Sequence, residues 1–464
     1  MRPNYFPIAL QTFVAITTLL FGGNAYAANW YVRPSSAGSS TGADWNNAWS
    51  SSSISWGSVK PGDTVWLAGG NYPSGFSIGA SGSSGSPILI YRVLSTDSVP
   101  ASAAGWQSSF DSPVITSGGI SFPNCSYVTL DGRVPYKATV GSLGVSNAGI
   151  VSTISLAGGD GIDLAPAGDS VTSIIIKNVS IVGPYASVSN PAGGGGVSGI
   201  NCGQSTNCIF HGISIVGIGE AVRSNEWNGD IVEYCYIADT ANDGQQHEDV
   251  QYSYPSTNCI WRYNTINNSP NDGLFFEFGG ATNFYFYGNV YYNSQNWLIC
   301  TKAASGSVYG PMYIYNNVFM NPDPNAAAWV STNGSAMTGQ SYVYDNIFYN
   351  ASNQFSGSSG VASDYNAYNS GQPSGESHSF TFSANPFVSI PTYSQPVGTI
   401  GNFNLTATAQ ASFANGIPLT ADGFINKDMN GNTRGNPWYI GAYQYLSGQP
   451  TPQAPTGLRI ITGS

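Results

Sequence analysis

Apolar and polar residues alternate one by one through short runs of this chain, and the runs recur at a nearly fixed interval. Thr257-Asn258-Cys259-Ile260-Trp261-Arg262-Tyr263-Asn264 is followed by Thr282-Asn283-Phe284-Tyr285-Phe286-Tyr287-Gly288-Asn289. Met312-Tyr313-Ile314-Tyr315-Asn316-Asn317 and Tyr342-Val343-Tyr344-Asp345-Asn346 repeat the pattern. The anchors Asn264, Asn289, Asn317 and Asn346 stand 25, 28 and 29 residues apart, and Cys235 and Ile213 fall in the same slot upstream. Period-two alternation predicts half-buried strands, and a repeat of this length predicts a solenoid of stacked coils.

One face of each run predicts the core. Phe284, Phe286, Met312 and Ile314 point inward, and Tyr285, Tyr287, Tyr313 and Tyr315 point outward as a surface tyrosine ladder. A single coil cannot bury its own apolar face, so the core closes only by stacking. The anchor asparagines then sit about 4.8 Å apart, within bonding distance along the axis. Each coil carries a second strand about ten residues past its anchor: Gly273 to Phe278 in one coil, Leu298 to Lys302 in the next.

These coils resemble the right-handed parallel β-helix proteins of the pectin-lyase-like superfold. The stretch Pro61-Gly62-Asp63-Thr64-Val65-Trp66-Leu67 with Gly69-Gly70-Asn71-Tyr72 resembles the first coils of secreted members, where it caps the open core. Trp30, Trp45 and Trp49 read as packing in that cap. Trp438 to Tyr445 resembles a closing strand. The resemblance implies an all-β fold: a β-helix domain over 28–445, most regular over 206–350, with an N-terminal cap. It names no chemistry, because one fold hosts many.

Residues 1–27 read as a secretory signal: Arg2, an apolar run from Phe6 to Phe21, and Ala25-Tyr26-Ala27. The protein is expected to be secreted or periplasmic, with no membrane insertion after cleavage. Residues 446–464 read as a Pro-rich linker and tail. Charged residues make up 8% of the 464, against about 25% in ordinary domains. Short polar residues take their place, as tight turns and ladders require. The net charge of −11 excludes nucleic acid as a partner and disfavours polyanions unless a cation mediates. The 29 tyrosines and 11 tryptophans suit sugar rings where they are exposed. Six cysteines in an exported chain raise the possibility of disulfides, and Cys202–Cys208 is the local pair to consider. Most of the six read as small core residues.

In so uncharged a chain, one row of ionisable residues stands out. The 25-residue offset aligns Glu277 with Lys302. With Val250 and Tyr252 in the core, His247, Asp249 and Gln251 face outward beside them, with Arg223 one coil upstream and Trp329 downstream. The candidate catalytic residues are Asp249, Glu277, His247 and Lys302. The candidate substrate-binding residues are Arg223, Gln251, Trp329, Tyr287 and Tyr315. Hydrolysis of a glycosidic bond by paired carboxylates fits Asp249 and Glu277 and is slightly preferred on this acidic surface. The alternative is β-elimination with Lys302 or Arg223 as base and calcium on Asp249 and Glu277. Otherwise no cofactor is expected. A salt-bridged ladder without chemistry, on a glycan-binding or surface-structural protein, is the competing reading. His211 and His378 read as ordinary surface residues. The expected partner is a polysaccharide, bound by a monomer.

Overall fold

A computed structural model describes residues 27–138, 145–146, 149–153, 159–184, 197–238, 240, 249–267, 273–294, 296–302, 304–321, 328–392, 401–419 and 426–445. The signal segment apart from Ala27, the stretch Gly193 to Gly196, His247 and the tail 446–464 lie outside the described residues.

The chain is a right-handed parallel β-helix. Four short strands make a coil: Leu274–Phe276, Gly280–Thr282, Phe284–Tyr287 and Val290–Tyr292 form one, and Trp297–Thr301, Val308–Tyr309, Met312–Tyr315 and Val318–Met320 form the next. Each strand pairs in parallel with its counterpart one coil along, so that a 25-stranded sheet and a 12-stranded sheet run the length of the axis. Tyr285 pairs with Ile260 on one side and Tyr313 on the other, and Tyr313 pairs with Tyr342. The register is therefore the 25-, 28- and 29-residue repeat of the sequence.

Corners are set by residues in the left-handed region. Asn207, Asn258 and Asn283 have φ of 54°, 57° and 50°. A second corner uses Tyr263, Gly288, Asn316 and Asp345, at 57°, 66°, 51° and 59°. Asparagine and glycine adopt this conformation at low cost, which explains their abundance. The anchor that follows the second corner is buried: Asn264, Asn289, Asn317, Asn346 and Asn366 have no solvent exposure. Each anchor's carbonyl oxygen accepts from the preceding anchor's backbone N–H at 2.9–3.0 Å, as in Asn264 N–H to Asn289 Oδ1. Cys235 N–H donates to Asn264 Oδ1 at 2.9 Å, which confirms its slot. The ladder thus supplies partners to buried backbone groups that the corner takes out of the sheet.

Phe284, Phe286, Met312 and Ile314 are fully buried, as predicted. The outward tyrosines split into two sets. Tyr285 and Tyr313 are partly exposed and stack at 4.4 Å. Tyr287 and Tyr315 are buried, a correction to the surface ladder: they point outward but pack under a later segment with Trp438, Leu419 and Met429. That segment is pinned by Ile417 N–H on Asp345 and by Asn316 Nδ2 on the Tyr439 carbonyl. A covered ring cannot receive a sugar, so neither tyrosine has the accessibility assigned to it.

At the other end, Trp45 and Trp49 are buried and Trp30 stacks on Trp49 at 4.9 Å. Asp63 gathers the Ala28 N–H, the Lys60 N–H and the Trp30 indole. The Pro-Gly-Asp turn therefore ties the cap strand to the first coil. All six cysteines are buried, and none is assigned to a disulfide. The Cys202–Cys208 pairing does not form; both thiols take core positions instead. Among the described residues no helix is long and apolar enough to cross a membrane.

Candidate functional site

The outward face of the second strand of each coil brings most of the row together. Gln251–Ser253, Leu274–Phe276 and Trp297–Thr301 stack as neighbours. Their outward side chains Tyr252, Phe275 and Cys300 lie in line with Arg223 on the coil before. Two positions further on, Glu277 and Lys302 stand on adjacent rungs, and Lys302 Nζ lies 2.5 Å from Glu277 Oε1. The other carboxylate oxygen accepts the Tyr252 hydroxyl at 3.3 Å. Lys302 Nζ also lies 5.7 Å from the Phe275 ring centre. Burial and the Glu277 charge push the Tyr252 phenol well above its ordinary pKa. At neutral pH it is a proton donor.

The backbone here is held firmly. The Tyr309 hydroxyl lies within hydrogen-bond distance of the carbonyls of Phe276, Glu277 and Lys302. Ser307 adds a bond at 2.6 Å to the Glu277 carbonyl. Glu277 is 7% exposed, and the Lys302 side chain is 45% exposed. An aromatic row flanks the pair: Tyr252 stacks toward Phe275 at 6.2 Å, Phe275 toward Trp297 at 6.5 Å, and Trp329 ends the row 6.3 Å from Trp297.

The register differs from expectation at one point. Val250 is core, but Gln251 also points inward, paired with Val222 and Leu274, and is fully buried. Two successive inward residues break the alternation, so Tyr252 faces out where Gln251 was expected. Phe278 breaks it too, standing 42% exposed beside Tyr254 rather than in the core. Both breaks fall beside bends, where strand periodicity ends. Asp249 has no solvent exposure, and its charge contributes to raising the Tyr252 phenol. Neither it nor Glu277 belongs to the paired strands: Asp249 precedes Gln251–Ser253 and Glu277 follows Leu274–Phe276. His247 lies outside the described residues.

Sequence reasoning missed two groups. Asp163 and Asn201 continue the row beyond Arg223, with Asn201 Nδ2 on Asp163 Oδ1 at 3.2 Å. Burial raises the pKa of Asp163 and of Asp160, and Arg223 moderates the latter. The regular strands here lack the repeat's aromatic signature, so nothing in the sequence marked them. The second group is His211, which is not an ordinary surface residue. Its Nδ1 lies 2.8 Å from Glu233 Oε1, and Arg262 donates to Glu233 Oε2 at 2.6–2.7 Å and to the Tyr287 hydroxyl at 3.1 Å. Burial would raise the Glu233 carboxyl, but the His211 and Arg262 contacts outweigh it and hold it below its usual range. These residues align on successive rungs, one per coil. Alignment of His211, Glu233 and Arg262 at the anchors would have revealed the ladder. His378 is exposed, paired with Asp364 at 2.7 Å and stacked on Tyr365.

Among the described residues, no group of three or more His, Cys, Asp or Glu side chains is placed to hold a metal ion. Both Glu277 oxygens, which the calcium scheme calls on, contact Lys302 and Tyr252 here.

No protein-family model matches this chain, and no curated protein matches it. Solved structures do. The pectate lyase Pel9A superposes with a TM-score of 0.51 at 14% identity, over 91% of this chain and 98% of that one. A structure described as the complex of XylC with xylose gives 0.48 at 10% identity, over 90% and 98%. A rhamnogalacturonan lyase gives 0.44 at 12% identity, over 83% and 98%. At 14% identity, the likeness to the pectate lyase shows the fold alone.

Proposed function

We propose that this protein is an exported enzyme that cleaves a uronate-containing polysaccharide by β-elimination at the Tyr252–Glu277–Lys302 cluster. One observation carries the reading: Tyr252 and Lys302 hold the two oxygens of a single outward carboxylate. Elimination needs a base, a donor for the leaving oxygen and a cation for the substrate carboxylate. Glu277 takes the proton from the carbon next to the uronate carboxylate. The electron pair forms the carbon–carbon double bond, the bond to the leaving oxygen breaks, and the Tyr252 phenol protonates that oxygen. The proton on Glu277 then returns to Tyr252 along their hydrogen bond. The exposed Lys302 ammonium faces the substrate carboxylate, Arg223 binds further along the row, and Trp297 and Trp329 offer ring faces to the sugars. Asp249 tunes the phenol from below.

Hydrolysis by Asp249 and Glu277 needs both carboxyl groups to flank the substrate bond, and Asp249 has no solvent exposure. The fold shared with a pectate lyase supports the choice of polymer by analogy only. The test incubates the protein with a panel of acidic and neutral polysaccharides, following reducing ends and ultraviolet absorbance together. Absorbance rising with reducing ends, lost in Tyr252→Phe and Glu277→Gln, is the expected result. Reducing ends without absorbance would establish hydrolysis instead. Binding without products would establish a glycan-binding protein.

A further inference from the structure

Further along the strand Glu220–Asn228, past Arg223, lies a recess of about 440 Å³. Its lining includes Thr172, Gln204, Glu226, Asn228, Pro255 and Thr257. Most of the side chains are hydroxyls and amides, with one carboxylate and the apolar Val171, Trp227 and Pro255, and among the described residues no Lys or Arg lines it. Gln204 Nε2, on the neighbouring strand, donates to Glu226 Oε2 at 2.8 Å, so the exposed carboxylate is held by one oxygen. Asn228 Oδ1 accepts from Asn258 Nδ2 at 3.1 Å, which continues the polar floor along the axis.

At the rim stands an aromatic pair. Phe278 follows Glu277 directly, is 42% exposed, and stacks with Tyr254 at 5.5 Å and 25°. Tyr254 is joined to Pro255 in the recess and lies two residues from Tyr252 in the cluster. The three features therefore follow one another along the chain: Tyr252 and Glu277, then Tyr254 and Phe278 at the bend, then the recess.

From this continuity and from the charge of the lining, we infer that the recess is a binding site for neutral sugar units of the same polysaccharide. Apolar ring beside hydroxyl and amide partners is the composition that suits a pyranose, with its C–H face and its hydroxyl edge. A uronate or sulfate there would face Glu226 with no cation to offset it, at a cost in repulsion and desolvation. The acidic sugar belongs at Lys302 and the neutral ones beyond Phe278. The inference rests on the proposed elimination site and narrows its substrate to a heteropolysaccharide that combines uronate with neutral residues.

Affinity electrophoresis tests it on the full chain, using gels that contain galactomannan, arabinogalactan, polygalacturonate or alginate. The Glu277→Gln variant serves as the parent, so that binding is read without cleavage. The expected result is retardation by at least one neutral polymer, weakened about tenfold by Phe278→Ala, well within what a single aromatic anchor carries. Phe278 is exposed, so its removal leaves the core intact, and circular dichroism checks this. Glu226→Gln should keep neutral binding and gain retardation by the acidic polymers. Retardation by acidic polymers alone, or neutral binding unchanged in Phe278→Ala, would overturn the site. Neutral binding lost in Phe278→Ala, in a protein that cleaves nothing, would leave the recess standing and remove the elimination.

Discussion

Replacing Asn289 with alanine tests what holds the coils in register. The Asn289 side chain makes five bonds in a fully buried position. Its Oδ1 accepts from the Asn264 N–H at 2.9 Å and from Asn264 Nδ2 at 3.0 Å. Its Nδ2 donates to the carbonyls of Trp261 and Tyr287 and to Asn317 Oδ1 at 2.9–3.2 Å. Truncation leaves the buried Asn264 N–H without that acceptor, at about 1–3 kcal/mol, and the remaining bonds are each worth about 0.5–1.5 kcal/mol net. Asn264 Nδ2 keeps its bond to the Val232 carbonyl, and Asn317 Oδ1 keeps the Asn289 N–H, so part of the loss is recovered. The expected destabilisation is about 3–6 kcal/mol. The control is Asn283→Gly, on the exposed corner. It loses one bond, Asn283 Nδ2 to Asn258 Oδ1 at 2.7 Å, and glycine tolerates the φ of 50°. Its cost should stay below about 1 kcal/mol. Guanidinium unfolding followed by circular dichroism compares the two midpoints at a common slope. Equal midpoints would refute the idea that the inner ladder, rather than strand pairing alone, fixes the coils.

Other outcomes follow from the same contacts. Phe286→Ala should cost about 3–5 kcal/mol, since the ring is fully buried and its neighbours cannot collapse into the gap; a melting temperature near that of the parent would contradict the core assignment. Burial pushes the Asp345 carboxyl up to about 8 and the Asp230 carboxyl up to about 6. Both are raised above their unfolded values near 4, so their contribution is fully present below about pH 4 and is lost as pH rises, through about 6 for Asp230 and about 8 for Asp345. Melting temperatures measured from pH 4 to 9 should therefore fall on this account, and Asp345→Asn should flatten the upper part of the curve; parallel curves would reject the assignment. Burial raises five of the thiols, Cys125 to about 11 and Cys202 to about 12 among them, so thiol reagents should label the protein only after denaturation. Chelators should leave any polysaccharide cleavage unchanged, and a chelator-sensitive activity would restore the calcium scheme.

Much of the fold was legible because it is written in short-range pattern. Alternation over four residues fixes which side chains share a face, and recurrence at 25–29 residues fixes which strands pair. Phe284, Phe286, Met312 and Ile314 needed nothing else. The pairing of Glu277 with Lys302 came from the same arithmetic, one repeat apart. What failed was everything that depends on a bend or on a distant segment. Gln251 and Phe278 sit beside corners, where two residues in succession can face one way. Tyr287 and Tyr315 face as predicted and are buried all the same, because Trp438 and Met429 arrive from far along the chain. No local pattern carries that information.

The same distinction explains the two ionic rows on this solenoid. Both arise by stacking one charged residue per coil in an outward slot, which any regular β-helix permits. The His211–Glu233–Arg262 row is nearly closed over by its own partners: Arg262 uses both Glu233 and Tyr287, and the later segment reaches Tyr263 through the Lys427 carbonyl. Such a row holds strands and covering segment together. The Glu277–Lys302 pair is different in kind. Its cation is half exposed, its carboxylate holds a raised phenol, and an aromatic row ends beside it in Trp329. Stability alone would favour replacing the pair with apolar residues. A half-open ion pair, set on backbone fixed by the Tyr309 hydroxyl, is what a site needs if it is to exchange one of its own partners for a substrate carboxylate.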